Sequence, residues 1–507
     1  MKRFFRNTVT SSDRNVISQF LLDAEKEMRE CDVEMNKLKT RMHMLENKKK
    51  GLRKAVEKCR SLLAPIHRLP TEILAHIFSM ACDKTIWVSC SAPRVVKLST
   101  VCGRWRELAL STTSLWSALR IDFSFWAGRF PDLERLIRIF MDRSGGSRLR
   151  LELDFTTLEE VEACLSSIIS LLVRNCARWQ TVSLELDDFD PFVGLDLDGL
   201  VFSALQDLQI HIEWEAPLPP IFNCLFKNTP LLRSLDINCL EFFADEEFNL
   251  PRHQVEVLTI RYGTSDRVLT FLSSFPHLKA LTLTRTGIAT NHYDGHYLSS
   301  TVKTLTFTWD DQTEVDTTLP RLTLPELASL TMSGNFASSG RWPVWVQTPF
   351  TEFMARSSCT ITSLCLKWLP MTDRQVMDIL ELMPSLNYLE IEEYPESPPN
   401  RITTEMFLQH LVVDPQAAFL SGHSFLPLLT ELVLVVRKEG LVEQDVFDVV
   451  SSRWIPDPVQ ARELGVECLR SVRMTVMGET ADKFRLSSLE CYRDAGLQLE
   501  IIYKKVA

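Results

Sequence analysis

Two rhythms of apolar residues divide the chain. From Ile17 the apolar positions fall alternately four and three apart, through Leu21, Ala24, Met28, Cys31, Met35, Leu38, Met42, Leu45, then Lys49, Leu52, Val56, Cys59 and Leu63. This is the 3.5-residue period of a heptad, and it predicts one long helix carrying a narrow apolar seam. The helix must end by Pro65, because proline disfavours helical geometry in the residue before it. Met, Ala and Cys occupy much of the seam, Lys49 interrupts it, and Gly51 costs about 1 kcal/mol relative to Ala, so the seam needs a covering partner. A second copy, the rest of the chain and a different protein all remain open as that partner.

The second rhythm is a recurring L-x-x-L-x-L pattern with central residues Val182, Leu208, Leu235, Leu258, Leu281, Leu305, Leu330, Leu364, Leu389, Leu432 and Val472. Seven of the ten intervals lie within the 20 to 29 residues of leucine-rich repeats. Leu278 to Leu283 and Leu386 to Ile391 are the tightest copies, and Asn335 occupies the usual repeat asparagine position. Each copy predicts a short strand with one apolar side, which buries that side only by stacking on its neighbours. Eleven such strands at about 4.8 Å spacing predict a concave sheet roughly 50 Å long, interrupted by insertions around 340–349 and 394–400. Ahead of it, Pro131 to Arg143 reads as a helix stopped by Ser144-Gly145-Gly146, followed by a strand from Leu149 to Phe155.

Between the two rhythms, Leu69-Pro70-Thr71-Glu72-Ile73-Leu74 opens a short helix with Ile77, Phe78 and Ala81 on a wide apolar face. Pro70 suits a first helical position, and Glu72 faces the positive end of the helix dipole. A second helix is expected to carry Leu98, Val101, Cys102, Trp105, Leu108 and Ala109, with Ser111 to Trp116 closing the segment. So much apolar surface on so few residues suggests a docking face.

Composition narrows the classes. The chain has 507 residues, 45% hydrophobic and 24% charged, which excludes wholesale disorder. A net charge of -10 argues against a nucleic-acid binder, which needs excess Lys and Arg to neutralise phosphates. That charge is a sum of opposites, because the first 60 residues hold 16 Lys+Arg against 9 Asp+Glu. The run Lys48, Lys49, Lys50, Arg53 and Lys54 reads as a solvated helix face or a nuclear-localisation signal. Thirteen cysteines without a C-x-x-C pair read as reduced, small hydrophobes. His67, His76, Cys82, Cys90 and Cys102 are too irregularly spaced for a zinc site. No apolar run reaches the ~18 residues that span a bilayer. No membrane association is expected, and the expected location is the cytoplasm, the nucleus or both.

Leu69-Pro70-x-Glu72-Ile73-Leu74-x-x-Ile77-Phe78, then Leu98-Ser99-x-Val101-Cys102-x-x-Trp105-Arg106-x-Leu108-Ala109 and Ser111-Thr112-x-Ser114-Leu115-Trp116, resembles an F-box. The order of coiled coil, F-box and leucine-rich repeats is similar to F-box proteins abundant in mushroom-forming (basidiomycete) fungi. The segment between Phe78 and Val96, with Trp87, Cys90 and Pro93, is longer than the family pattern, and Gly103 replaces its usual basic residue. The resemblance implies binding to the Skp-type adaptor of a cullin-RING ubiquitin ligase, through Leu69, Pro70, Ile73, Leu74, Ile77, Val101 and Trp105.

The expected organisation is an α/β chain: an N-terminal tail (1–16), a coiled coil (17–64), an F-box domain (65–119) and an irregular leucine-rich-repeat solenoid (120–507). Candidate target contacts are the outward strand residues Glu185, Asp187, His211, Asp236, Arg261, Thr282, Thr306, Lys367 and Glu390. Threonine is also a good strand former, so its abundance there has a plain structural explanation. No nucleophile elbow, phosphate-binding loop, dinucleotide fingerprint or H-E-x-x-H occurs. Asp187, Asp188, Asp190, Asp196 and Asp198 lack the calcium-loop pattern and read as an acidic surface loop. No catalysis, metal or cofactor is expected. The functional expectation is a substrate-recognition subunit of an SCF-type ubiquitin ligase; the alternative is an interaction scaffold outside any ligase.

Overall fold

The computed structural model describes residues 10–82, 86–87, 94–156, 163–187, 191–192, 194–195, 197, 199–212, 225–238, 249–287, 298–335, 345–394, 400–414, 424–478 and 487–505. The chain divides into two compact units, Met1–Met80 and Ala81–Ala507.

In the first unit the heptad segment forms a single helix, α1 (Ser11–Leu62). Its start is fixed by a capping box: the Thr10 hydroxyl accepts from the Asp13 N–H, and the Asp13 carboxylate accepts from the Thr10 N–H. Gly51 is carried without a break. No residue of α1 is buried, and Leu38, Met42, Leu45 and Leu52 are each 58 to 59% exposed. After a short 3-10 turn at Pro65–Arg68, α2 (Thr71–Cys82) begins. Pro70 stands just before it rather than at its first position, and its carbonyl accepts from the Leu74 N–H at 3.0 Å.

The second unit begins with the last residues of α2, where Arg94 donates to the Ala81 carbonyl. The expected second helix is in fact two, α3 (Arg94–Ser99) and α4 (Gly103–Ser111). The break falls at Thr100 to Cys102, where Cys102 is fully extended at φ -158°, ψ 170°. Low-propensity Ser, Thr and Gly and β-branched Val101 meet there, so continuing the helix has little to recommend it. Trp116 then closes the segment: its indole donates to the Ala109 carbonyl at 2.7 Å, and its ring meets Phe140 edge-on.

The remaining strands are β1 (Ile86–Trp87), β2 (Ala118–Asp122), β3 (Leu149–Asp154), β4 (Trp179–Leu186), β5 (Asp207–Ile212), β6 (Ser234–Asn238), β7 (Val257–Gly263), β8 (Ala280–Thr286), β9 (Leu298–Ser299), β10 (Thr304–Trp309), β11 (Leu322–Thr323), β12 (Ser329–Gly334), β13 (Ser363–Lys367), β14 (Tyr388–Glu392), β15 (Glu431–Arg437), β16 (Ser471–Met477) and β17 (Gln498–Lys504). Fifteen of them form one sheet in chain order, while β9 and β11 pair separately. Every neighbouring pair is parallel.

One register runs through this sheet. The eleven central residues read from the sequence, from Val182 to Val472, are all cross-strand partners of one another in succession. The row extends to Leu119 and Leu151 at one end and Leu499 at the other, three positions the sequence reading did not include. Two residues further along each strand a second apolar row follows, with Leu184, Ile210, Ile237, Ile260, Leu283 and Phe307 among the buried core. A recurrent join leads into the strands: the Arg233, Glu256, Lys279, Lys303, Ala328, Thr362, Asn387 and Thr430 carbonyls each accept from two consecutive N–H groups at the start of the neighbouring strand. Returning helices contribute the other side of the core. α5 (Phe130–Ser144) buries Leu133, Ile137 and Phe140 and stops at Gly145, whose φ of 53° suits glycine.

Candidate functional site

Two surfaces answer to the residues singled out in the sequence. On α2 the helical period separates Leu74 and Phe78, both almost fully buried, from Ile73 and Met80, which are 49 and 59% exposed. Leu69 and Ile77 are half-buried and Pro70 is exposed. Leu74, which the sequence reading groups with the docking residues, is 0% exposed in the free chain and shares one i to i+4 stripe with Phe78. Met80, absent from the sequence candidates, stands on the open side. In the second unit, Val101 sits in the α3 to α4 break and is 59% exposed, while Trp105 on α4 is half-buried.

The second surface is the polar face of the sheet. Strand residues alternate between faces, so the positions one and three after each central residue share a side. In the first of these rows Asp236, Thr259, Thr282, Thr306 and Thr331 are successive partners, and in the second Thr284, Thr308 and Ser333. This hydroxyl-rich middle carries no ionised group in these two rows from β8 to β12. Charged clusters flank it.

On the β5 to β7 side, Arg261 grips Asp236 with two hydrogen bonds of 2.8 and 3.2 Å, and His211 stands 3.4 Å from the same carboxylate. Burial works to raise the Asp236 pKa, but the neighbouring His211 and the two hydrogen bonds from Arg261 outweigh it and hold the carboxyl below its ordinary value. Glu185, one strand earlier, goes the other way: burial, then the neighbouring Asp154, pushes it up. Asn238 ends β6 by bonding both the N–H and the carbonyl of Ile212. Asp187 follows directly after β4 and is half-buried, whereas Asp188, Asp190, Asp196 and Asp198 lie outside the described residues, as do Cys90 and Pro93.

On the β13 to β14 side, the Lys367 ammonium lies 2.9 Å from Glu390 and 3.5 Å from Glu392. The Tyr388 hydroxyl donates to the other Glu390 oxygen at 2.7 Å. Burial, reinforced by Glu390, pushes Tyr388 up to about 12 and the adjacent Cys365 thiol to about 12. Cys365 is therefore a neutral thiol at physiological pH and a poor nucleophile.

Neither Tyr388 nor Cys365 was among the sequence candidates, and neither was the Arg120 to Glu152 ion pair at 3.4 Å. A third feature also escaped the pattern. Tyr262, Arg285 and Trp368 each stand four residues after a central leucine, and all three have left-handed backbones, φ 60°, 53° and 54°. Such conformations are strained in residues other than glycine and turn these side chains out of the alternation. Arg285 there bonds the Tyr262 hydroxyl at 2.9 Å and pairs with Asp310 at 2.8 Å. Among the described residues no group of three His, Cys, Asp or Glu could hold a metal ion, and no helix is long and apolar enough to cross a membrane.

In comparison with known protein families, the F-box-like family model matches residues 66–122. No curated protein matches the chain.

Proposed function

We propose that this chain is the substrate-recognition subunit of an SCF-type ubiquitin ligase, with its F-box-like domain docking a Skp-type adaptor and its sheet holding the target protein. The observation that carries this reading is the F-box-like match over 66–122. An F-box-like domain is a protein-interaction module, generally without catalysis of its own. In this reading Leu69, Pro70, Ile73, Leu74, Ile77, Val101 and Trp105 form the adaptor-binding set, the buried Leu74 supporting the exposed members from within α2. The in-register sheet is an irregular leucine-rich-repeat solenoid spanning 120–507, and Glu185, Asp187, His211, Asp236, Arg261, Thr282, Thr306, Lys367 and Glu390 line its target-binding side. The receptor brings target lysines to a charged enzyme supplied by the cullin-RING assembly, so its contribution is proximity.

The test is co-purification of the full chain with a Skp-type adaptor. Because Ile73 and Val101 are exposed, Ile73→Asp and Val101→Asp should leave the thermal midpoint unchanged. Burying such an apolar side chain contributes about 1.5 to 3 kcal/mol, so each variant should bind about tenfold or more weakly. Absence of any wild-type complex would leave the chain an interaction scaffold outside the ligase.

A further inference from the structure

α1 presents an apolar seam with no buried residue, in which Ile17 and Ala24 are half-buried and Leu21, Met28, Met35, Leu38, Met42, Leu45, Leu52 and Val56 are exposed. We propose that a second copy covers it, and that the two α1 helices run antiparallel, with residues i and 80 - i facing each other. This does not depend on the ligase reading.

Three features of the helix select this arrangement. The first is seam size. Written as heptads, the seam has Leu21, Met28, Met35, Met42, Lys49, Val56 and Leu63 at one position and Ile17, Ala24, Cys31, Leu38, Leu45, Leu52 and Cys59 at the other. All three small residues belong to the second set. In a parallel pair each meets its own twin, giving three layers of small on small and lost packing contacts. In the antiparallel register Ala24 faces Val56, Cys31 faces Lys49 and Cys59 faces Leu21 of the second copy, while Leu38 meets Met42 at the centre.

The second is Lys49. A parallel pair brings two Lys49 ammonium groups together in the seam. The antiparallel pair sets each against a Cys31, which leaves room for the lysine stem to lie along the seam and its ammonium to reach water.

The third is charge along the helix. Ser11 to Asn36 holds seven acidic and three basic residues, whereas Lys37 to Leu62 holds ten basic and two acidic. Paired helix axes are about 8 to 10 Å apart, comparable with the Debye length of about 8 Å at physiological salt. A parallel pair therefore sets basic half against basic half, and an antiparallel pair sets each basic half along an acidic one. Side-chain pairs on the seam's flanks do not discriminate, since attractive and repulsive pairs balance in both arrangements. At 1.5 Å per residue, the two Pro65 ends stand roughly 75 Å apart, so the F-box-like domains of the two copies emerge at opposite ends of the pair.

Disulfide trapping in the full chain tests this. Light scattering of the reduced protein should give twice the 58.2 kDa chain mass. Under mild oxidation the Lys49→Cys variant should form a crosslink between its introduced thiol and Cys31 of the second copy. Independently, Leu21→Cys should join its introduced thiol to Cys59 of the second copy, both links being mapped by mass spectrometry. In the wild type the two Cys31 residues would be roughly 27 Å apart and should not join. A wild-type Cys31 to Cys31 or Cys59 to Cys59 crosslink overturns the orientation. A monomer mass overturns the pairing itself and leaves the seam to the chain's own body or another protein.

Discussion

The N-terminal helix and the sheet are built on the same device, an apolar residue repeated at a fixed spacing, yet the two regions end in opposite states. In the sheet every step of the repeat stacks on the next, so Leu305, Phe307 and Trp309 of β10 are fully buried between β8 and β12. In α1 the repeat runs along a single rod, so no step of it stacks on the next and no residue of the helix is buried. A repeat perpendicular to the strands closes on itself by adding units; a repeat along one helix needs a second surface, which in the pairing proposed above is another molecule. Stability in the first case belongs to the chain, and in the second, under that pairing, it is a function of concentration.

That contrast can be broken most directly by cutting one apolar side chain from each region. Phe307→Ala removes a side chain with 0% exposure and should destabilise the second unit by about 3 to 5 kcal/mol, independent of protein concentration. Leu38→Ala removes one that is 58% exposed; it should leave unfolding of the sheet within about 0.5 kcal/mol of wild type while weakening self-association. Denaturant midpoints measured across a hundredfold range of protein concentration separate the two. Equal, concentration-independent losses would mean that the α1 seam is covered by its own chain.

A smaller effect tests how far burial reaches beyond the strands. Glu314, on the helix Gln312–Thr318 that follows β10, is 7% exposed. Burial pushes its pKa up from 4.5 to about 7, with backbone hydrogen bonds only partly opposing it. The folded state therefore holds the proton more tightly than the unfolded state. This contribution is complete below about pH 4.5 and is lost as pH rises through about 7, amounting to at most about 3 kcal/mol. Unfolding midpoints at pH 5 and pH 8 should differ in this sense, and Glu314→Gln should remove most of the difference. α1, in which no residue is buried, offers no site where burial could act in this way.

Much of the sheet was legible because its signal repeats. A single L-x-x-L-x-L is weak evidence, but eleven copies at similar spacing predict a row, and the eleven central residues pair in one register. At the ends, Leu151 lay in the predicted Leu149 to Phe155 strand without being joined to the row, and Leu119 and Leu499 were not seen because the surrounding pattern fades there. The break between α3 and α4 was hidden because Leu98, Val101, Trp105 and Leu108 keep a helical spacing across it; the three weak helix formers there carried the opposite signal. Leu74 and Ile73 are adjacent, and only the packing of α2 tells which of them faces inward. Arg453 shows the limit most clearly. It is 1% exposed and donates to the main-chain carbonyls of Leu411, Phe425 and Leu426. Burial lowers its pKa to about 10, and no pattern in the sequence marks a cation whose acceptors are backbone atoms of distant turns. The two charged clusters were half legible: Asp236, Arg261, Lys367 and Glu390 were read as single outward residues, and only the register joins them.

The smallest effect separates the two explanations of the threonine rows. If Thr306 and its neighbours serve only as good strand formers, Thr306→Val keeps the β-branched shape, the strand preference and the half-buried position. Its stability should then stay within about 0.5 kcal/mol of wild type. If the hydroxyl row is a binding surface, the same variant removes a donor and acceptor at its centre and should weaken target capture without that stability cost, as should Thr282→Val beside it. Lys367→Met, at the charged flank, should lose capture too, but with a change in salt dependence that the threonine variants lack. Thermal midpoints read alongside capture decide between the two: unchanged stability with unchanged capture assigns the threonines to strand formation alone, and unchanged stability with lost capture assigns them to recognition.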